Sequence, residues 1–146
     1  MMKIKEEPKV DLSDFPGMLQ KLERSQEVID SFVQTVNTLA EYIRKGFRMK
    51  PGESREFSTD DIDEILGRHV VEFHLSPKGK YSFRRFFRRG DQDSSFSSKV
   101  HADNPASDKT FACLLPYLVA QVRNDMRIEI EKIEAMEKAV RKSSLD

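Results

Sequence analysis

The stretch VVEFHLSPKGKYSFRRFFRR, residues 70–89, decides the fold because its side chains alternate in character with a period of two. Val71, Phe73 and Leu75 alternate with Val70, Glu72 and His74, and a second alternating run follows the Ser-Pro-Lys-Gly segment. Alternation of this kind is typical of half-buried strands, and proline followed by glycine is typical of a tight turn. The pattern therefore predicts a β-hairpin. Its strands are expected at residues 70–76 and 80–88.

The segments that flank the hairpin are less regular. On the upstream side, residues 53–57 are compatible with a short strand, and Ser58-Thr59-Asp60-Asp61 is typical of a helix start. The sequence therefore predicts a short helix that places Ile62, Ile65 and Leu66 on one apolar edge and ends at Gly67. On the downstream side, residues 95–100 form either a third, edge strand or part of a long polar loop.

Two long segments with helical spacing enclose this region. Apolar side chains recur at steps of three and four from Phe15 to Ile43 and again from Phe111 to Val140. Ser13 or Asp14 is the expected N-cap of the first helix, and Ser107 or Asp108 that of the second. We expect helices at residues 15–46 and 108–142, the second with a kink or a break at Pro116.

The helices are too long for the middle of the chain to cover their apolar faces. Four positions of each helix keep a spacing of seven residues, which predicts that the helices pack antiparallel in coiled-coil manner or in an oligomer. The predicted interface residues are Leu22, Ile29, Phe32, Val36, Ile43, Val119, Met126, Ile133 and Val140. The fold class is therefore α+β. We expect a mobile arm at 1–13 and one elongated domain at 14–146, with an α+β insert at 53–100.

The charges cancel in total but not along the chain. The 146 residues include 25 Lys and Arg and 25 Asp and Glu, which excludes a strongly basic, histone-like binder and an acidic tail. Residues 51–76 carry two cations and seven acids, whereas residues 77–101 carry seven cations and two acids. The nets are −5 and +5, so an acidic block directly precedes a basic block.

The basic block contains the most unusual segment, residues 78–89, with six cations, four aromatic rings and no acid. Cations that neutralise phosphates, interleaved with rings that stack on bases, favour contact with nucleic acid or another acidic partner. The candidate residues are Lys78, Lys80, Tyr81, Arg84, Arg85, Phe86, Arg88 and Arg89. Two other interpretations stay open: Phe83 and Phe87 belong to the core, or the arginines pair with acids. These acids are Asp60, Asp61, Asp63 and Glu64 of the predicted short helix.

Catalytic chemistry has little support in the sequence. There is no nucleophile elbow, phosphate-binding glycine loop, zinc-protease helix or dinucleotide fingerprint, so we expect no enzyme and no cofactor. His69, His74 and His101 lack the spacing of a metal site, and we expect no metal. The single Cys113 reads as a small buried apolar side chain.

The sequence predicts a non-enzymatic assembly protein that forms an oligomer through its helices and contacts nucleic acid or another acidic surface through its hairpin. The alternative is a protein–protein adaptor, inhibitor or chaperone-like subunit without a nucleic-acid role. A protein partner or self-association is expected, with nucleic acid as a further partner and neither membrane nor small-molecule substrate. The single cysteine and the absence of a signal-like apolar run favour the cytoplasm, or the nucleus of a eukaryote.

Overall fold

The computed structural model describes residues 10–144, so that most of the predicted arm at residues 1–13 lies outside the described range. In the sequence, one helix precedes and one helix follows a four-stranded sheet, which confirms the α+β class. In chain order the elements are α1 (Phe15–Gly46), β1 (Ser54–Asp63), β2 (Gly67–Leu75), β3 (Tyr81–Arg89), β4 (Gln92–His101), a 3₁₀ turn (Pro105–Ser107) and α2 (Lys109–Ser144).

The sheet is an antiparallel meander in the order β1-β2-β3-β4. Strands β2 and β3 form the predicted hairpin, in which Val71 pairs with Arg85 and Phe73 pairs with Phe83. Residues 95–100 lie within β4, so the strand interpretation of this segment is confirmed and the loop interpretation is wrong. β1 and β4 are the two edge strands.

The short helix predicted after Ser58 does not form, because β1 continues to Asp63. The buried Thr59 hydroxyl donates to the carbonyl of His69 at 2.8 Å, and the register with β2 shifts between Ser58 and Ile62. Asp63 Oδ1 accepts the N–H groups of Ile65 and Leu66 at 2.9 Å each. An aspartate caps a helix with this same local bonding, so only the long-range pairing with β2 distinguishes the two structures.

The ends of the helices follow local chemistry. Asp108 Oδ1 accepts the N–H groups of Thr110 and Phe111 at 2.9 and 3.3 Å, which confirms Asp108 as the N-cap of α2. α2 is one helix that includes Pro116, so no separate helix precedes it. At the end of α1 the left-handed residue is Arg48, with φ of 52°, rather than a glycine.

Both helices cross the same face of the sheet from the β4 side to the β1 side. α1 contacts β3 where Tyr81 donates to Asn37, and its end reaches β1 through the ring of Phe47. α2 begins over β3 at Asp108 and reaches β1 at Asp125, whose carboxylate lies 3.8 Å from Arg55.

The contacts between α1 and α2 show that the two helices run in the same direction. The ring of Phe32 meets that of Phe111 near the start of α2, and Gly46 meets Met126 fifteen residues further along that helix. Within the chain α1 and α2 are thus parallel, not antiparallel as one of the two predicted arrangements had it, whereas packing in an oligomer stays a prediction.

The core lies between the sheet and the middle of the two helices. Phe57, Val71, Phe73, Phe83 and Val100 supply the sheet side, and all five are fully buried. The helices contribute Val36, Leu39, Ala40, Ile43, Phe111, Leu114, Leu118 and Val122. The parts of the helices outside these positions extend beyond the sheet.

Candidate interaction surfaces

The alternation of β3 sends its arginines to opposite faces of the sheet. Arg85 lies with Phe83 on the face that the helices cover, whereas Arg84 and Arg88 lie with Phe86 on the uncovered face. The predicted nucleic-acid segment is therefore not one continuous basic surface. Each arginine has to be considered with its own neighbours.

Arg85 is 7% exposed and pairs with the cap of α2. Its Nε donates to Asp108 Oδ2 at 2.7 Å, and the Ser98 hydroxyl donates to the same oxygen at 3.0 Å. Burial alone would raise the pKa of Asp108, but the bonds from Arg85, Ser98 and the N–H of Phe111 hold that pKa below its usual range. Arg85 therefore links β3 to the start of α2.

On the uncovered face, arginines cover an apolar ring. Phe86 is only 1% exposed, because the guanidinium groups of Arg84 and Arg88 lie 4.5 and 5.3 Å from its ring centroid. Arg88 Nη1 donates to Glu56 Oε2 at 2.8 Å and its Nε donates to Asp93 Oδ1 at 2.6 Å. These bonds raise the pKa of Arg88 above its usual range.

The acidic and basic blocks therefore cancel each other in part within the chain. Arg84 pairs with Glu72 at 3.4 Å, so Glu56 and Glu72 of the acidic block both hold arginines of the basic block. Within residues 10–144 the acids of the predicted short helix do not pair with the arginines of β3, so that interpretation was wrong about the partners. Arg89, beside the turn between β3 and β4, donates to the carbonyl of Ile65 in the turn between β1 and β2 at 3.1 Å. An arginine that already faces a carboxylate has less charge to offer to a phosphate.

Of the remaining residues of the predicted site, Lys78 and Lys80 lie in the turn between β2 and β3, and Tyr81 is the first residue of β3. Lys78 and Lys80 are exposed, whereas Tyr81 is half-buried and donates its hydroxyl proton to Asn37. Burial raises the pKa of the Tyr81 hydroxyl. The exposed Arg48 and Lys50, which lie outside the predicted segment 78–89, belong to the loop that bonds to Leu75 at this same end of the sheet through Gly52 and Glu53.

One histidine occupies an unusual position. His69 is 1% exposed and stacks on Phe87 with ring centroids 4.1 Å apart, and its Nδ1 lies 3.2 Å from Asp61 Oδ2. Burial lowers the pKa of His69, although the bond to Asp61 acts against this. Among residues 10–144, its buried Nε2 has no hydrogen-bond partner. Within residues 10–144, no group of three or more His, Cys, Asp or Glu side chains is arranged to hold a metal ion.

The predicted helix-interface residues fall into two groups. Val36 and Ile43 are buried in the core, and Phe32, Val119 and Met126 are half-buried against it. In contrast, Leu22, Ile29, Ile133 and Val140 are 67, 40, 46 and 66% exposed. Cys113 is also exposed, so the prediction that it is buried is wrong, because its neighbour Leu114 takes the inward position of the helix turn.

Comparison with other proteins adds no further information about this surface. No protein-family model, curated protein or solved structure matches the chain. In the range that the structure describes, neither helix has an apolar stretch long enough to span a membrane.

Proposed function

We propose that the chain is a non-enzymatic assembly protein, which self-associates through the parts of its helices that extend beyond the sheet. These parts are the α1 arm, residues 15–31, and the α2 arm, residues 127–143. A second part of the proposal is that the β2–β3 hairpin contacts an acidic partner through its turn, since the strand arginines are engaged within the chain.

The exposed apolar stripe on both arms carries the proposal. Each stripe continues, at intervals of seven residues, a row of side chains that packs on the sheet elsewhere in the same helix: Leu22 and Ile29 precede Val36 and Ile43, and Ile133 follows Met126. A repeat of this kind presents one face to a partner helix. Over the arms, the face has no partner within residues 10–144, because the sheet ends before the helices do.

The apolar area on the arms reaches the lower limit of a specific interface. Eleven large apolar side chains on the two arms are each between 40 and 69% exposed. Ile128, two residues after Met126, lies on the other side of α2. The other ten are Phe15, Met18, Leu19, Leu22, Val28, Ile29, Ile130, Ile133, Met136 and Val140. With roughly 100 Å² of apolar surface per large aliphatic side chain, about 500 Å² is available on each copy. Two copies reach about 1,000 Å², the size at which specific interfaces begin.

A second copy of this chain is the partner that fits both arms. The parallel helices leave the sheet on opposite sides, so one copy exposes an α1 arm at one end and an α2 arm at the other. Both arms have 17 residues, or about 26 Å of helix. The α1 arm carries two cations and three acids, whereas the α2 arm carries five cations and four acids. The opposite nets favour contact between the α1 arm of one copy and the α2 arm of another.

The mass of the protein in solution tests this proposal. Light scattering on the wild type should give a multiple of 16.9 kDa, and the variant Leu22→Glu/Ile29→Glu should give a single copy. The matched control Gln20→Glu/Ser31→Glu adds the same charge at exposed positions on the other side of the α1 arm and should keep the wild-type mass. Circular dichroism checks that all variants keep their helices.

A wild-type mass of 16.9 kDa up to about 100 µM would contradict self-association, since it implies a dimer affinity weaker than ~5 kcal/mol. It would favour the adaptor, inhibitor or chaperone-like alternative, in which the arms bind a different protein. An equal loss of mass in the control variant would show that added charge, and not the apolar stripe, disrupts the assembly.

A further inference from the structure

One end of the sheet collects exposed cations from two separate loops. The N–H of Gly52 donates to the carbonyl of Leu75 at 2.7 Å, and the N–H of Leu75 donates to the carbonyl of Glu53 at 2.9 Å. These bonds hold the loop between α1 and β1 beside the turn between β2 and β3. We name the cations of these two loops the basic edge. They are Arg48, Lys50, Lys78 and Lys80, and all four are exposed.

The basic edge is electrostatically unlike the opposite end of the sheet. In the part of the chain that the structure describes, no carboxylate pairs with the side chain of any of the four cations, while Glu53 Oε1 accepts the backbone N–H of Lys50 at 2.6 Å. Glu53 and Asp103 are the acids of the adjoining loops. The opposite end has three arginines and six acids, which are Asp60, Asp61, Asp63, Glu64, Asp91 and Asp93. The nets are +2 and −3, so the molecule has one end that attracts anions.

The backbone of Arg48 provides an independent observation. Its φ of 52° makes it the one non-glycine residue in the left-handed region among residues 10–144. This conformation at the end of a helix is the usual position of glycine, because a Cβ atom strains it. Cationic side chains for the helix dipole are already present in the last turn, at Arg44 and Lys45. The arginine is thus unfavourable for folding at a position where its charge joins the basic edge.

The composition of the basic edge indicates which acidic partner it suits. The four side chains are long cations on exposed loops, and the aromatic rings of the adjacent strand, Tyr81 and Phe83, are turned to Asn37 and to the core. Protein–protein interfaces centre on anchors, most often Trp, Tyr or Arg, that are desolvated in well-packed pockets. The four cations are instead all exposed. A phosphate backbone needs only cations, and it is bound through them without regard to base sequence.

We propose that the basic edge binds the phosphate backbone of a nucleic acid without sequence preference. This inference rests on the acidic contact in the proposed function and names its partner, but it does not depend on self-association. The strand arginines Arg84, Arg85 and Arg88 hold the sheet together, while Arg48, Lys50, Lys78 and Lys80 contact the phosphates.

Fluorescence anisotropy with a labelled 30-nucleotide DNA, single-stranded or duplex, tests the proposal on the full chain. Four phosphate contacts predict a loss of duplex affinity of about a hundredfold between 50 and 200 mM salt. Lys78→Gln/Lys80→Gln should bind at least about tenfold more weakly at 50 mM salt and should lower the salt slope by about 1.8. The matched control Lys109→Gln/Arg123→Gln, which removes two exposed cations outside the basic edge and outside both arms, should bind as the wild type does.

Arg48→Gly separates binding from folding. Because glycine suits the left-handed backbone, the variant should unfold at a higher temperature than the wild type and still bind DNA several-fold more weakly. A merely structural role of Arg48 does not produce this combination. Unchanged binding by Arg48→Gly would overturn its part in the site.

Three other results would overturn the proposal. They are no binding at 50 mM salt, equal losses in the control variant, and equal competition by poly-glutamate, which would show a general acidic contact instead of a nucleic-acid one. The same DNA titration with the Leu22→Glu/Ile29→Glu variant distinguishes the two proposals. This variant changes the α1 arm and keeps the basic edge, so its DNA binding tests the basic edge whether or not the wild type self-associates.

Discussion

The guanidinium of Arg85 on β3 lies 2.7 Å from the carboxylate of Asp108 at the start of α2, and their side chains are 9 and 14% exposed. This pair connects the sheet to the helix layer at a point where both partners have other bonds. Asp108 also caps α2 and accepts from Ser98, so one carboxylate organises β3, β4 and α2.

Loss of Arg85 should be much more costly than loss of its neighbour. Arg85→Ala leaves the Asp108 carboxylate buried without its cation and should lower the free energy of unfolding by about 3–5 kcal/mol. The matched variant Arg84→Ala removes a pair that is 40 and 24% exposed and should cost about 1 kcal/mol or less. Urea unfolding followed by circular dichroism measures both. Similar losses in the two variants would contradict the structural role of Arg85.

Neutralising both partners should restore part of this stability. In Arg85→Met/Asp108→Asn no buried charge remains, and asparagine still caps the helix. We expect the double variant to be more stable than Arg85→Ala in the same urea experiment. A double variant no more stable than Arg85→Ala would show that the loss comes from packing and not from an unpaired charge.

Stability should decrease as the pH falls below the ordinary pKa of histidine. Burial lowers the pKa of His69 in the folded protein from 6.5, with Asp61 and Asp108 acting to raise it and Arg85 to lower it. The unfolded chain therefore binds the proton first, and stability present above pH 6.5 is lost as the pH falls, by at most about 1.4 kcal/mol per pH unit. Unfolding free energies measured between pH 7.5 and 5 test this loss, and they should depend less steeply on pH in His69→Gln than in the wild type. The same pH dependence in both proteins would contradict the role of His69.

Gly67 should not tolerate a side chain. Its φ is +96°, and a Cβ atom there would lie 2.3 Å from the carbonyl oxygen of Arg88 on the neighbouring strand. Gly67→Ala should destabilise the protein by more than about 2 kcal/mol, since it adds a clash with backbone to the left-handed strain. The control Gly79→Ala has φ of +81° and open space around it, so it should cost only about 1 kcal/mol. Thermal unfolding measures both variants. Equal losses of stability would show that the left-handed backbone strain, and not the clash with Arg88, causes the loss.

The uncovered face of the sheet should contribute to stability through Phe86. Phe86→Ala removes a ring that is 1% exposed and should lower the free energy of unfolding by about 3 kcal/mol. Phe96→Ala, on β4, removes a ring that is 54% exposed and should cost less than about 1 kcal/mol. Chemical unfolding of the two variants gives the comparison. A small loss for Phe86→Ala would mean that the arginines above it do not form a covered apolar layer.

The candidate site was only partly predictable. The spacing of residues 78–89 identified a segment rich in cations and rings, but pairing between strands decided which cations are exposed. Glu56 and Glu72 lie on β1 and β2, and they meet Arg88 and Arg84 only because these strands are neighbours of β3 or lie close to it. Arg48 and Lys50 were missed for the same reason, since their loop joins the hairpin turn through bonds to Leu75.

Local patterns in the chain were sufficient for the helices and the hairpin and narrowed the N-cap of α2 to Ser107 or Asp108, because each depends on residues within a few positions of one another. The short helix after Ser58 was mispredicted, since the local bonding of Asp63 is common to a cap and a turn. Only the tertiary structure decided that β1 replaces this helix, that α1 and α2 run parallel, and which arginines are paired. These features depend on contacts between residues far apart in the chain, where burial and charge pairing outweigh local propensity.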